Sequence, residues 1–436
     1  MRKLIVLTVS LSVCAMVAQE GGGSKIPLDE AAQVFATAAK LNTRDGGRLW
    51  GMPVCGPMFV VDPESHFIVA NQADAQGKLR RSGNVWTGEL PKEISPANSA
   101  TDWAGVKWTM LMWPVTKDPR DRERLVGHEC FHRIQADLKL VARDAVAGHL
   151  DGEAGRTWLQ LEWRALERAL ANGVQEQQRW VAVNDALMFR NYRRSLTKSA
   201  AKTENALEMN EGVCEYTGFE LASANEADRR AAAIYALHAG PQKPSFGRSF
   251  AYVSGPAYGI LLDETGVPWR KKLTADADWG ALLGAAYKAR MRVPEEKDVL
   301  AAAKKYEGET LIAAEKERAR RLEAKLAELR KKFIEGPVLV LPIDGEFGYG
   351  FDPNNTTSLD ERSTVYGWAR ITGSWGVLET PNGALMVREN GKIVRVVVPA
   401  AKDTQKATSD DWKLELKPGW KIVKRGDAGE QTLAKN

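Results

Sequence analysis

The sequence predicts an α+β protein with an N-terminal β region, a mainly helical middle that carries a long helical insert, and a small all-β domain at the C-terminus. Between about residues 45 and 115, short runs rich in Val, Trp and Phe alternate with turn residues. Apolar residues then recur at helical spacing. After Gly336 and Pro337 the β-type alternation returns, with Gly, Asn and Asp at the turns. A chain of 436 residues with 44% hydrophobic residues is globular and long enough for two or three domains.

The first 18 residues have the pattern of a secretory signal peptide. Arg2 and Lys3 precede a short apolar run, and small residues near Ala15 and Ala18 offer a cleavage point. The alternative is a membrane anchor, but the run is short for a span and no later segment approaches 18 apolar residues. We therefore expect a secreted or periplasmic protein without a transmembrane segment in the mature chain.

The remaining chain is expected to fold in four consecutive parts. They are an N-terminal helix and sheet over 19–115, a helical domain over 116–305, a charged connecting helix over 306–335, and a β domain with a polar tail over 336–436. Long amphipathic helices are predicted over 157–171 and 175–195. Arg190, Arg193 and Arg194 near the end of the second suit the helix dipole, or could meet a substrate carboxylate.

The segment HECFH follows the strand-like run VKWTMLMWPV and contains His128, Glu129 and His132. On a helix the two histidines lie one turn apart and point the same way, so their imidazoles can bind one zinc ion together. Glu129 lies beside them, where it can take a proton from water at the metal. A catalytic zinc site needs a third protein ligand.

The segment NEGVCEY offers that ligand in Glu211. Glu215 lies one helical turn later and could accept a hydrogen bond from the far nitrogen of a ligand histidine. Glu208 is an alternative ligand, with Glu215 next in line. The simpler interpretation of such a carboxylate pair is a solvated helix face, but apolar residues surround this one.

HECFH together with NEGVCEY resembles the gluzincin zinc metallopeptidases, which share His-Glu-x-x-His and a later Asn-Glu-x-x-x-Asp/Glu. The closer likeness is to the aminopeptidase-N-like members rather than the thermolysin-like ones. The resemblance implies a zincin-like catalytic domain, one Zn²⁺ per chain held by His128, His132 and Glu211, and Glu129 as general base. It also implies a peptide or protein substrate.

The segment FAYVSGPA resembles the Tyr-x-x-Gly segment of the same family, which makes Tyr252 the residue that stabilises the oxyanion. Tyr258 and His238 are alternatives for this role, and an ordinary packed tyrosine is the simpler interpretation. By the same resemblance, the strand Ala104–Trp113 would bind the substrate backbone at a sheet edge, with Asn98 and Trp103 near its start.

Two departures from the family limit what the resemblance implies. The insert between His132 and Glu211 is long, and we expect its helical hairpin to be added without moving the ligands. No segment resembles the Gly-Ala-Met-Glu-Asn motif that anchors a substrate's free amine, so exopeptidase and endopeptidase activity stay open.

Three cysteines follow the signal peptide, and Cys130 and Cys214 lie on the two predicted ligand helices. They could form a disulfide that joins these helices, or pack as small apolar residues.

Three other functions stay open: a non-catalytic binding scaffold, a zinc hydrolase that acts on a non-peptide bond, or a structural module in which HECFH is an ordinary helix segment. Net charge is only +5 with no basic-aromatic block, so nucleic acid is not an expected partner.

Overall fold

The computed structural model describes residues 26–141, 143, 145–289, 291–343, 347–352, 355–404, 407, 409–425 and 430–435. They divide into two compact units, one ending at Leu311 and the other beginning at Ile312. N-terminal strands, a helical middle and C-terminal sheets follow one another, so the coarse layout predicted from the sequence is confirmed. The predicted signal peptide lies outside the described residues. Within those residues, no helix combines the length and the apolar character that crossing a membrane requires.

The first unit begins with helix α1 (Leu28–Asp45) and a six-stranded sheet. Its strands are β1 (Met58–Val61), β2 (Phe67–Ala70), β3 (Arg80–Ser82), β4 (Val85–Glu89), β5 (Ser99–Trp103) and β6 (Val106–Met112). They lie in the order β3-β4-β2-β1-β6-β5. Strands β1 and β6 are parallel, and every other pair is antiparallel.

The expectation that Ala104–Trp113 forms the sheet edge is wrong. Strand β6 lies between β1 and β5, so the edge on this side of the sheet is β5. The reason is a tight hairpin turn at Ala104 and Gly105, whose φ angles of 49° and 77° are both positive. Two successive positive φ values are typical of the turns that join antiparallel strands.

Helices form the rest of this unit. They are α2 (Pro119–Ile134), α3 (Glu153–Leu170), α4 (Glu176–Ser195), α5 (Ala200–Leu207), α6 (Val213–Ala222), α7 (Glu226–Ala239), α8 (Ser249–Glu264), α9 (Trp279–Tyr287) and α10 (Glu296–Ala303), with a π-helical turn at Glu208–Gly212 between α5 and α6. Short 3₁₀ turns occur at Gly148–Asp151, Gly240–Gln242, Trp269–Lys272 and Lys304–Tyr306. Asp118 starts α2 by accepting hydrogen bonds from the backbone of Arg120 and Asp121. The two long helices predicted in the insert are α3 and α4.

The sheet has a different apolar cluster on each face. Met58, Val60 and Leu111 belong to the cluster that includes the buried faces of α1, α2, α3, α6 and α8. Phe59 and Trp108 belong to the cluster on the opposite face, together with Trp103. Successive strand residues point to opposite faces, so this alternation follows directly from the pleat.

A buried ion cluster joins α3, α4 and α5. Arg193 binds Glu162 and Glu204, and its Nη2 lies 2.8 Å from a Glu204 carboxylate oxygen. Arg190 holds both carboxylate oxygens of Glu208, at 2.7 and 2.5 Å. Arg194 binds Glu204 at 2.7 Å. The three arginines thus neutralise carboxylates inside the protein, and Arg193 and Arg194 also lie in the last turn of α4, where they suit the helix dipole.

The second unit is built from two sheets. Helix α11 (Gly308–Arg330) begins before the boundary and ends after it, and a π-helical turn at Lys331–Glu335 follows. The strands are β7 (Val338–Pro342), β8 (Gly348–Phe351), β9 (Thr356–Ser358), β10 (Ser363–Tyr366), β11 (Ala369–Gly373), β12 (Gly376–Thr380), β13 (Ala384–Glu389), β14 (Lys392–Pro399), β15 (Lys413–Leu416), β16 (Trp420–Arg425) and β17 (Glu430–Lys435). One sheet has the order β16-β17-β7-β14-β13-β10-β9 and the other β15-β12-β11-β8. Apolar residues of both sheets, such as Leu341 and Ile371, share one core.

Glu220 on α6 generates a prediction about pH and stability. Burial raises its pKa from 4.5 to about 7, although Arg229 opposes the shift. Because the pKa of Glu220 is higher in the folded protein than in the unfolded chain, this residue contributes most to stability below pH 4.5. Its contribution is lost as the pH rises through 7. Replacing Glu220 by Gln removes the loss. We expect the variant to be more stable than the wild type by about 1–3 kcal/mol at pH 8 and not at pH 4. Urea unfolding at both pH values measures this difference.

The matched control is Glu226→Gln, since the Glu226 side chain is 59% exposed. It should change stability little at either pH. An equal effect of Glu220→Gln at pH 4 and pH 8 would contradict the prediction.

Candidate metal site

The two histidines of HECFH and Glu211 come together in the first unit and are largely buried. His128 and His132 lie on α2, and their Nε2 atoms are 3.2 Å apart. Oε2 of Glu211 is 3.4 Å from Nε2 of His128 and 3.5 Å from Nε2 of His132. The three side chains are 5, 15 and 8% exposed. These donor atoms form a nearly equilateral triangle, in the arrangement predicted from the sequence.

The spacing of this triangle fits a zinc ion. Zinc–nitrogen and zinc–oxygen bonds of about 2.0–2.1 Å in a tetrahedral site place neighbouring donors about 3.3–3.4 Å apart. The three observed separations bracket that value. Three protein donors leave one tetrahedral position open, as catalytic zinc sites require.

Glu215 supports His128 from behind. Its Oε2 lies 2.7 Å from Nδ1 of His128, and a carboxylate only accepts, so Nδ1 carries the proton and Nε2 faces the other donors. Burial disfavours the charged imidazolium, but the hydrogen bonds with Glu211 and Glu215 outweigh burial and raise the pKa of His128 to about 10. Arg124 lies 3.4 Å from the other oxygen of Glu215. The role predicted for Glu215 matches this geometry.

Glu211 sits in the π-helical turn rather than in a regular helix. Such turns insert one residue into the helical repeat and occur frequently at functional sites. Burial opposes ionisation of Glu211, but hydrogen bonds from His128, His132 and Tyr252 outweigh it and lower its pKa far below the usual range. Glu208, the alternative ligand, is held by Arg190 at the other end of the turn.

Glu129 is buried beside the triangle, with 5% exposure. Its Oε2 has no hydrogen-bond partner among the described residues. Burial raises the pKa of Glu129, while His128 and His132 oppose the shift. A buried carboxylate oxygen without a partner is costly, so it needs a ligand or a water.

Tyr252 on α8 lies against His128. The two rings are parallel to within 3°, with centroids 5.5 Å apart. Its hydroxyl donates a hydrogen bond to Glu211, and burial together with that carboxylate raises the pKa of Tyr252. The alternatives are not part of the site: Tyr258 is buried with its hydroxyl 2.8 Å from Glu162, and His238 is exposed on α7.

Two glycine pairs allow the three helices to meet. A β-carbon on Gly127 would lie 3.1 Å from the Cα of Gly218, and one on Gly218 would lie 2.6 Å from the carbonyl oxygen of Arg124. A β-carbon on Gly255 would lie 2.5 Å from the carbonyl oxygen of Gly212. The first pair brings α2 against α6, and the second brings α8 against the π-helical turn.

The two predicted substrate residues flank strand β5: Asn98 directly precedes it and Trp103 is its last residue. The Asn98 side chain accepts a hydrogen bond from the backbone of Met112 at 2.7 Å, at the end of β6. Trp103 ends β5 and packs edge-on against Phe59, on the face opposite the helical core. Helix α2, which carries the two histidines, packs against both β5 and β6.

Cys130 and Cys214 do not form the disulfide that the sequence left open as one of two alternatives. Cys130 forms a disulfide with Cys55, in the segment before β1, because it points away from the histidine face of α2. Cys214 is a buried free thiol that donates to the carbonyl oxygen of Asn210 at 2.9 Å. Its sulfur lies 3.3 Å from Nδ1 of His132.

A competing donor set consists of His128, His132 and Cys214, whose donor atoms lie within 4.8 Å of one another. Cys214 faces Nδ1 of His132, on the opposite side of the ring from Glu211. Burial raises the pKa of the thiol, and Glu211, Glu129 and Glu215 raise it further. Glu211 faces Nε2 of both histidines, whereas the thiol faces Nδ1 of His132 alone, so the geometry favours the set of His128, His132 and Glu211.

Three residues at the site were missed from the sequence. Gln135 contacts His132, and Arg248 lies 3.3 Å from Oε1 of Glu211. The importance of Gly218 cannot be predicted from the sequence, because it depends on the contact with Gly127 on another helix. Only Gln135, three positions after His132, is close enough in sequence to have been suspected.

Comparison with known proteins adds no further identification: the chain matches no model of a protein family, no curated protein and no solved structure.

Metal content distinguishes the two donor sets. We expect about one zinc ion per wild-type chain, a sharp loss in His132→Ala and Glu211→Ala, and retention in Cys214→Ala. Elemental analysis after dialysis against zinc-free buffer gives the numbers. Zinc kept by Glu211→Ala but lost from Cys214→Ala would instead assign the site to the two histidines and the thiol.

The Gly127–Gly218 contact gives a second prediction. Gly218→Ala forces α2 and α6 apart, so we expect a loss of about 1–3 kcal/mol in stability and weaker zinc binding. Gly148→Ala is the matched control, because a β-carbon there meets nothing within 4 Å. Thermal unfolding and zinc titration measure both effects. Unchanged zinc binding in a folded Gly218→Ala protein would show that helix separation does not control the site.

Proposed function

We propose that this chain is a secreted or periplasmic zinc metallopeptidase of the gluzincin type, which hydrolyses peptide bonds. The observation that carries the proposal is the triangle of His128, His132 and Glu211 at zinc-like spacing, with the unpartnered carboxylate oxygen of Glu129 beside it. Residues of the types needed as ligands, base and support lie together, which favours an enzyme over a non-catalytic scaffold.

The residues of the site divide the work of hydrolysis. A zinc ion, when bound, supplies a Lewis acid that polarises a carbonyl group and acidifies water. Oε2 of Glu129 accepts a proton from the attacking water and later delivers it to the leaving nitrogen. The burial that raises the pKa of Glu129 makes it a stronger base than an exposed carboxylate. The Tyr252 hydroxyl, beside Glu211, donates to the oxygen on which negative charge develops.

An extended peptide is the substrate that suits the surroundings. Strand β5 is the edge of its sheet and borders α2, so its free backbone groups can pair with a substrate strand. A substrate strand would then pair with β5 (Ser99–Trp103), one strand earlier in the chain than the sequence indicates. An oxidising compartment is supported by the Cys55–Cys130 disulfide.

Glu129→Gln tests the proposal. We expect the variant to keep zinc but to lose about 10²–10⁴-fold in peptide hydrolysis, because the amide cannot accept the proton. Zinc content and cleavage of a peptide library by the full chain are measured together. Glu123→Gln is the control: it is buried on the same helix but binds Lys40 and Arg44 instead.

Two results would contradict the proposal in different ways. Hydrolysis by Glu129→Gln at the wild-type rate would remove Glu129 as the base. A zinc-loaded wild type that cleaves no peptide would leave a zinc site with another substrate, such as a non-peptide bond.

A further inference from the structure

Gln135 is a buried side chain that touches both halves of the metal site. It directly follows α2 and is 3% exposed. Its Oε1 lies 3.1 Å from Nδ1 of His132, and its Nε2 lies 3.0 Å from the carbonyl oxygen of Met209. Met209 belongs to the π-helical turn that carries Glu211. One amide therefore links a histidine of α2 to the backbone beside Glu211.

The Met209 contact fixes the orientation of this amide. A backbone carbonyl only accepts hydrogen bonds, so the atom that faces Met209 is the NH₂ group of Gln135. The atom that faces His132 is then the amide oxygen, which also only accepts. Nδ1 of His132 must therefore carry the proton, and the lone pair of the neutral ring is on Nε2. Nε2 is the atom that faces His128 and Glu211.

We propose that Gln135 is a positioning residue of the metal site: it holds His132 in the tautomer that presents Nε2 to a metal, and it ties the turn of Glu211 to α2. The inference rests on the proposed zinc site but not on peptidase activity. It gives His132 the kind of support that Glu215 gives His128, through an amide instead of a carboxylate.

Cys214 is the other group near Nδ1 of His132, at 3.3 Å. Its thiol proton is donated to the carbonyl oxygen of Asn210, so its sulfur can accept from the ring. Sulfur is a weak acceptor, whereas an amide oxygen is a good one. Cys214 makes no link to Met209 that could replace the second contact of Gln135. Gln135 thus supplies both functions, and Cys214 at most assists with the first.

Zinc affinity of the purified full-length chain tests this role, measured by competition with a chromophoric chelator. Gln135→Leu removes both hydrogen bonds and should weaken zinc binding about 10–100-fold. Gln135→Glu keeps an acceptor for Nδ1 but loses the donor to Met209, so its affinity should lie between those of Gln135→Leu and the wild type. Gln431→Leu is the matched control, because Gln431 is a buried glutamine that donates one hydrogen bond and accepts one, both with the backbone of Ala401, in the second unit.

Each outcome decides the question. Partial recovery in Gln135→Glu, with wild-type affinity in Gln431→Leu, supports positioning, because a general loss of stability would not depend on the acceptor. Wild-type affinity in Gln135→Leu overturns the role of Gln135 alone. Equal losses of zinc affinity in Gln135→Leu and Gln135→Glu would show that the acceptor for Nδ1 does not matter, and would overturn the proposed positioning of His132. If Gln135→Leu does not fold, the zinc affinity of Gln135→Glu decides alone. An intermediate loss of zinc affinity supports the role. Wild-type affinity, or a loss as large as that of His132→Ala, overturns it. No zinc binding by the wild type refutes the metal site itself and this inference with it.

Discussion

The site depends on how closely three helices can approach one another. Gly127 and Gly218 let α2 and α6 meet almost backbone to backbone, and Gly255 lets α8 meet the π-helical turn at Gly212. Side chains at these positions would clash with the facing backbone and push the helices apart, and the three candidate donor atoms would separate with them. His128 follows Gly127 directly, and Tyr252 precedes Gly255 by one turn. The glycines that allow close helix packing are therefore next to, or one turn from, the side chains of the candidate site.

The second constraint is electrostatic. Glu129, Glu211 and Glu215 are all buried around His128, and burying carboxylates is costly unless they are paired. Arg124 lies near Glu215 and Arg248 near Glu211, while Oε2 of Glu129 has no partner among the described residues. The raised pKa of His128 has the same origin, because the surrounding carboxylates favour positive charge at this point. A site with this balance is complementary to a divalent cation with water beside Glu129.

Sequence reasoning reached the part of the site that depends on local spacing. His128, Glu129 and His132 follow from the helical repeat, and Glu211 and Glu215 follow from a second helical pair. The sequence does not predict which distant residues pair. Cys130 forms its disulfide with Cys55 rather than Cys214, and the spacing of cysteines along the chain does not determine their partners. The edge position of β5 depends on a hairpin at Ala104, a residue that rarely adopts positive φ. Gln135 and the glycine pairs acquire meaning only when two distant segments are placed side by side.

The helical insert is more closely coupled to the site than its position in the sequence indicates. A helical hairpin without contacts to the site would not affect the positions of the candidate ligands. Here α4 supplies Arg190, which holds both oxygens of Glu208, the first residue of the π-helical turn. Gln135 holds the same turn from the side of α2, through Met209. Glu211 is thus fixed between two anchors on different helices. A π-helical turn is less regular than an α-helix and needs such support, so the insert contributes to the position of Glu211, the third donor of the candidate metal site.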